Sequence, residues 1–376
     1  MLELRLVDSV AEVGAEKWSE LQGPLTYPFL RYEWLHALEE SGCLGREKGW
    51  IPRFLVCKQG KELVAVVPAY LKLDSYGEFV FDHAWAQFCQ TRLGRPYYPK
   101  LVIAVPFTPA TGSRVLFAQG TSLADREEVF DLLTGGLPEL AKQLGLSSVH
   151  ILFPSDADGH ELRQRDWVER LGVQFQFHAE GLADFDEFLG TFRAKRRAAI
   201  RREQRALDDQ GIEIRVCTAS GLLARHSEIA YRLYVSTVDK YFYGRRYLNR
   251  PFFDQVIQTM PDSLHFVLAQ DADENVLGGA FNLLGSEALY GRYWGAFSDV
   301  PFLHFNVCLY AGVRETLRLG LSKFEPGAGG AHKESRGFRP TITRSFHYLA
   351  DPTLAQAVED FCLREAEAVQ CHVEKS

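Results

Sequence analysis

The sequence lacks any hydrophobic run approaching the roughly 18 residues that cross a bilayer as a helix. Its first apolar stretch, Leu2 to Val7, is interrupted by Glu3 and Arg5. Neither a signal peptide nor a membrane segment is expected. Paired cysteines are missing too: the seven present, at 43, 57, 89, 217, 308, 362 and 371, are odd in number and contain no C-x-x-C pair. That spacing speaks against zinc or a redox dithiol and favours reduced thiols in a cytoplasmic protein. Also absent are H-E-x-x-H, a G-x-S-x-G elbow and a Walker loop, so a covalent acyl-enzyme has no sponsor and no metal or resident cofactor is expected. An excess of positive charge is missing as well. With a net charge of −7 and a pI near 5.9, a surface given over to nucleic acid is excluded and any polyanion site must be local.

What is present is a globular composition, 46% hydrophobic and 24% charged over 376 residues, more than one core usually organises. Two α/β domains are expected, residues 1–180 and 181–376, with mixed sheets flanked by helices. The first half reads as an alternating strand at Leu2 to Leu6, a helix at 31–40, strands at 53–58 and 62–73, and an aromatic, Gly- and Pro-rich stretch at 75–112. A helix at 126–144, a strand at 148–153, a helix at 160–171 and a strand at 174–178 follow. The second half echoes this order. It opens with one long helix at 185–209 and a strand at 212–217, followed by helices at 229–240 and 251–259 and strands at 265–269, 276–284 and 288–295. A helix at 305–319, a short strand at 323–324, a Gly-rich loop, a strand at 341–349 and a closing helix at 352–369 complete it.

Three segments carry candidate chemistry. The run from Phe192 to Arg205 holds seven basic residues and one acid, Glu203, a local charge of +6 on a chain whose total is −7. Helical spacing puts Arg193, Arg197, Arg201, Arg202 and Arg205 opposite an apolar face, with Lys195 beside them and Arg196 among the apolar positions. One sign of charge repels along a helix, and guanidinium suits phosphate oxygens, so this ridge is the candidate phosphate or tRNA contact. A solvated surface face is the alternative. The second segment, Phe324 to Pro340, leaves a strand through Gly327, Gly329 and Gly330 and offers Lys333, Arg336 and His332 as donors beside backbone N–H groups. Glycines that merely make turns are its alternative. The third, Leu289 to Gly295 with the following His304 and Asn306, supplies Arg292, Tyr293 and Trp294 as candidate substrate contacts. In the first half Asp82 and Trp85 stand after Tyr76-Gly77-Glu78-Phe79.

Together these residues resemble the FemAB-like N-acyltransferases, described as peptidoglycan biosynthesis or recognition proteins of the GNAT superfamily. The resemblance rests on Lys195-Arg196-Arg197, on Leu289 to Gly295, and on Phe324-Glu325-Pro326-Gly327 with His332-Lys333 and Arg336-Gly337-Phe338. In the first half it extends through Tyr32 to Leu38, Ser75 to Asp82 and Tyr97 to Lys100. It implies two tandem GNAT-like (acyl-CoA N-acyltransferase-like) domains and, for the wider Fem group, an aminoacyl-tRNA donor and an amine acceptor. Two positions depart from the family pattern: Asn306 and Ala331 stand where acids are usual. Different residues there imply a different acceptor, such as an amino-sugar or peptide antibiotic precursor.

The resulting expectation is an aminoacyltransferase that joins an aminoacyl group from charged tRNA to the amine of a small acceptor. Lys333 is the oxyanion or phosphate candidate, Glu325 and His304 the proton acceptors, and Asp82 the group that orients an ammonium. An acyl-CoA-dependent enzyme on the same fold is the first alternative, although no [RQ]-x-x-G-x-[GA] turn is present between Trp294 and Phe305. A non-catalytic module that binds nucleic acid or a cell-wall fragment is the second.

Overall fold

The computed structural model describes residues 2–22, 27–240 and 244–375. The chain divides into two compact units, one of residues 1–173 with 342–376 and the other of 174–341. This differs from the expected division at 180/181: the closing helix Pro352–Glu374 belongs with the first unit. Its Leu354, Val358 and Cys362 pack with Trp85, Cys89 and Tyr97, an apolar cluster that the linear order of elements does not reveal.

The first unit contains an antiparallel sheet ordered Leu2–Val7, Phe54–Gln59, Glu62–Val67 and Leu116–Phe117. In a second sheet Trp50–Pro52, Ala69–Lys72, Lys100–Ile103, Ser148–Leu152 and residues 342–349 lie side by side, the middle pair parallel. The strand expected at 62–73 is therefore two strands in two sheets. Pro68 separates them, because it has no N–H to continue a ladder. The helix Leu123–Gln143 covers the core through Val129, Phe130, Leu133, Leu137 and Ala141. The helix expected at 160–171 ends at Arg163, and Val168–His178 is a strand. Tertiary pairing overrides the local pattern there: Arg170 makes a bidentate ion pair with Glu365, Nε to Oε2 at 2.7 Å and Nη2 to Oε1 at 3.0 Å.

The second unit is built on a sheet ordered Glu213–Thr218, Leu264–Gln270, Val276–Leu284, Ala288–Ala296, Lys323–Glu325 and the strand from Gln174 to His178. Side chains alternate along each strand, so each face takes its own helices. Phe266, Phe281 and Tyr293 meet Tyr234 and Phe253 of the helices Arg225–Val238 and Arg250–Thr259. Val267, Ala269, Ala280 and Trp294 pack on the other side with Leu207, Leu303, Val307 and Ala311. The long helix expected at 185–209 is two helices, Phe185–Gly190 and Ala194–Asp208. Arg193 between them is extended (φ −60°, ψ 150°) and caps the second helix. The helix expected at 305–319 begins at Leu303 and widens to a π-turn over Asn306–Tyr310.

The first unit buries a continuous polar network. Lys100 Nζ donates to Glu78 Oε2 at 2.8 Å, to Ser75 Oγ at 3.2 Å and, through a short contact, to Asp82 Oδ2. Tyr97 Oη donates to the same Asp82 oxygen at 2.8 Å and lies 3.1 Å from His150 Nε2. The Nδ1 atoms of His150 and His347, opposite each other on paired strands, are 2.6 Å apart. One of these nitrogens must carry the proton and the other the lone pair. Burial holds His150 at about 3 and His347 well below the ordinary histidine value, so both rings are neutral.

Burial pushes the Glu78 carboxyl up to about 7, against the opposing pull of Lys100. For Asp82 burial also pushes upward, but the Lys100 ammonium, through its charge and its hydrogen bond, outweighs it and holds the carboxyl below its usual range. The two acids therefore act on stability with opposite signs. Glu78 keeps a proton in the folded state that the unfolded chain releases near the ordinary glutamate value, so its contribution falls as pH rises toward 7. Asp82 contributes stability above its unfolded value, lost as pH falls through the lower folded one. Glu78→Gln should therefore flatten the decline in urea midpoint between pH 5 and 7.5. Parallel wild-type and variant curves would contradict this account of Glu78.

Candidate active site

The second unit gathers most of the candidate residues around the turn that follows Lys323–Glu325. Gly327, Gly329 and Gly330 have φ of 90°, 72° and 89°, a left-handed region that side chains other than glycine's rarely adopt. The close approach is also steric: a Cβ on Gly291 would lie 3.1 Å from the Pro326 backbone. Beyond the glycines, Ala331–Arg336 forms a 3₁₀ turn that turns Lys333 and Arg336 inward and leaves His332, Glu334 and Ser335 exposed.

Lys333 is 5% exposed, and its Nζ donates to the Gly327 carbonyl at 2.6 Å. Burial lowers its pKa to about 8, with only the Cys308 thiol opposing, and no carboxylate pairs with it among the described residues. Such a lysine is a cation that surrenders its proton within the physiological range. Burial also lowers the His304 ring to about 4, helped by His332, Lys333 and Arg336, so it is a neutral imidazole near pH 7. That ring lies 4.5 Å from Trp294 and 5.4 Å from His332. A cleft of about 430 Å³ opens beside it, lined by Lys240, Trp294, Phe297, Phe302, His304 and Phe305 among others. Glu325, buried on its strand, accepts from Lys323 Nζ through Oε1 at 2.8 Å. Its Oε2 has no hydrogen-bond partner among the described residues.

Several candidates take structural positions. Arg336 holds Glu203 from the basic helix, Nη2 to Oε1 at 3.0 Å and Nε to Oε2 at 3.3 Å, and reaches Tyr310 Oη at 3.1 Å. Its Cζ lies 3.4 Å from the centre of the Phe305 ring. Asn306 donates to the carbonyls of Glu203 and Phe302 at 2.9 and 3.0 Å. A carboxylate at that position has no N–H to give and would face two acceptors. Tyr293 packs against the rings of Tyr234, Phe253 and Phe281. Arg292 sits where the register shifts between Phe281 and Asn282, as the extra residue of a bulge, with Cζ 5.2 Å from the Tyr293 ring.

Asp82 and Trp85 belong to the first unit's network. The ammonium that Asp82 faces is the chain's own Lys100, and Trp85 stacks edge-on against His347 at 4.9 Å with Arg170 over its ring. The expected role of Asp82 as the partner of a substrate ammonium is therefore replaced by an internal ion pair. Glu203, Tyr310, Cys308 and Lys240 were not singled out from the sequence, although Glu203 carried a signal as the lone acid in a basic run.

On the helix Ala194–Asp208 the buried residues are Ile200, Glu203 and Leu207. Arg193, Lys195, Arg201, Arg202 and Arg205 are exposed, and Arg196 and Arg197 half-buried. Arg193, Lys195, Arg202 and Arg205 have no ion pair among the described residues, and Arg201 approaches Asp186 only at 4.0 Å. Four of the cations crowd the helix N-terminus, where the positive end of the helix dipole and mutual repulsion oppose them.

No helix among the described residues is long and apolar enough to cross a membrane. No curated protein sequence matches the chain. Among solved structures it is similar to FemX, with a TM-score of 0.53 at 11% identity over 95% of this chain and 100% of that one. It is also similar to L-PGS from Bacillus licheniformis, 0.50 at 11% over 91% and 98%. A conserved protein of unknown function from Bacteroides thetaiotaomicron gives 0.52 at 10% over 92% and 99%. These likenesses show the fold, two tandem GNAT-like units of mixed sheets flanked by helices. Residues 9–376 match the FemAB-like family, described as peptidoglycan biosynthesis/recognition. The chain belongs to the FemAB-like family.

Proposed function

We propose that the chain moves an aminoacyl group from a charged tRNA to the amine of a small acceptor in the cytoplasm, forming an amide. The carrying observation is the row of unpaired cations on a helix bonded directly to the turn that bears Lys333. A polyanionic donor suits that row, and an ester linkage already activated for acyl transfer needs no covalent enzyme intermediate.

The chemistry then reduces to three tasks. The acceptor ammonium must lose a proton, which His304 as neutral imidazole or Glu325 Oε2 could take. The amine attacks the ester carbonyl, whose oxygen gains negative charge in the tetrahedral intermediate. Lys333, charged below about pH 8, supplies a donor to that oxygen in a site where water is scarce. That attack forms the C–N bond; collapse of the intermediate restores the carbonyl and breaks the ester C–O bond, and the departing tRNA oxygen takes the second amine proton. A specialised-metabolite acceptor, such as an antibiotic precursor, is favoured over a cell-wall precursor by Ala331, exposed where the family pattern carries an acid. An acyl-CoA donor is the second reading, for which the cleft beside His304 offers room, but its loop Gly295 to Phe302 has no pyrophosphate turn.

Ribonuclease treatment of a cell-free reaction should abolish amide formation, with added acyl-CoA unable to restore it. Full activity after complete RNA removal would overturn the tRNA donor and promote the CoA reading. Lys333→Ala should lower kcat by about 10²- to 10³-fold, with a smaller effect on acceptor binding. Wild-type activity should also fall as pH rises through about 8 with loss of the Lys333 proton, a limb absent from the variant's residual rate. Near wild-type kcat in Lys333→Ala would place the oxyanion donor elsewhere.

A further inference from the structure

One cation of the basic ridge is already engaged, and its partner is the turn that carries Lys333. Arg196 donates through Nε to the Ser335 carbonyl and through Nη2 to Ser335 Oγ at 3.2 Å. Ser335 Oγ in turn donates to the His332 carbonyl at 3.0 Å, and Lys333 lies between those two residues. The turn thus has two guanidinium fastenings to the basic helix. Arg336 with Glu203 is the buried one, and Arg196 with Ser335 is the exposed one. Gly330 and Gly337, at φ 89° and 83°, bracket the segment in a left-handed conformation that glycine adopts without steric cost.

The two fastenings differ in how they respond to an anion. The inner one is a charged pair out of reach of solvent ions. The outer one joins a guanidinium to two neutral oxygens, whereas a phosphate offers it an opposite charge and two oxygens matched to its fork. Arg193 and Arg197, three residues before and one after Arg196, concentrate an anion at that point. We propose that Arg196 is a positioning residue that couples donor binding to Lys333: RNA phosphate takes its guanidinium, Ser335 is released, and the turn pivots about Arg336 to free Lys333 Nζ from the Gly327 carbonyl. In the free protein the exposed fastening holds the lysine in a resting position, so the oxyanion donor is delivered only when the ridge is occupied. This inference rests on the RNA-donor reading above, but its mechanical half does not need RNA.

Hydrogen exchange separates the two. The amides of Lys333, Gly337 and Phe338, bonded to the carbonyls of Gly330, Glu334 and Lys333, report on the turn. With uncharged tRNA as probe, their exchange in the wild type should accelerate by at least about fivefold. In Arg196→Ala without RNA it should already be fast, and tRNA should add nothing. Arg196→Lys, which keeps the charge but not the two-pronged donor, should behave like the alanine variant. Bound tRNA that leaves or slows these amides would overturn the coupling while sparing the donor reading. Absence of tRNA binding would overturn the donor reading. Unchanged exchange in both Arg196 variants would overturn the coupling on its own.

Discussion

The ion pair between Glu203 and Arg336 is the contact on which the second unit's candidate site depends. Glu203 is 4% exposed and Arg336 7%, so separating them would leave a buried charge without its partner. Loss of one member of such a pair commonly costs about 3–5 kcal/mol. Two further interactions hold the carboxylate and its backbone in place: Tyr310 Oη donates to Oε2, and Asn306 donates to the Glu203 carbonyl. Tyr310 and Asn306 come from opposite ends of one π-turn, a wider loop that turns both side chains toward the same helix. The basic helix, the π-turn and the glycine-rich turn are in this way locked at one point, and Lys333 stands three residues from it.

Each unit thus uses buried charge for a different purpose. In the first, Lys100 is surrounded by Glu78, Asp82 and two tyrosine rings, and the neutral histidine pair extends the network with no net charge. Such a cluster fixes the loop from Ser75 to Asp82, whose acids point inward while Tyr76, Phe79 and Phe81 stay exposed. In the second unit Lys333 has no carboxylate partner among the described residues, so burial acts on it opposed only by a thiol. The same residue type is a structural cation in one unit and a titrating donor in the other, and neighbouring carboxylates make the difference.

Much of this fold is legible in the sequence because it rests on short-range periodicity. The runs Leu264–Gln270 and Val276–Leu284 are apolar stretches of strand length buried on both faces, and Ile200 and Leu207 of Ala194–Asp208 are buried at helical spacing. The breaks were harder to read: Gly190 and Thr191 interrupt an otherwise helical pattern, and Pro68 moves a strand from one sheet to another. Of the site, the segments that carry chemistry could be read but the duties within them could not. Arg336 and Asn306 have the donor chemistry of ligand contacts, yet they serve Glu203, more than a hundred residues away in the chain. His150 and His347 become partners only because two strands 197 residues apart pair in register. Asp82 carries no local sign that Lys100 will meet it.

The proposed function turns on whether the helix Ala194–Asp208 grips RNA phosphate with cations such as Arg202 and Arg205, which have no ion pair among the described residues. Its most direct measurement is the salt dependence of tRNA binding by the wild type and by the double substitution Arg202→Glu and Arg205→Glu. Both residues are exposed and touch neither Glu203's ion pair nor the Lys333 turn among the described contacts. The account predicts weaker binding and a log–log salt slope shallower by about 1.5, the loss of two phosphate contacts. An unchanged affinity and slope would return the ridge to an ordinary solvated surface and contradict the account.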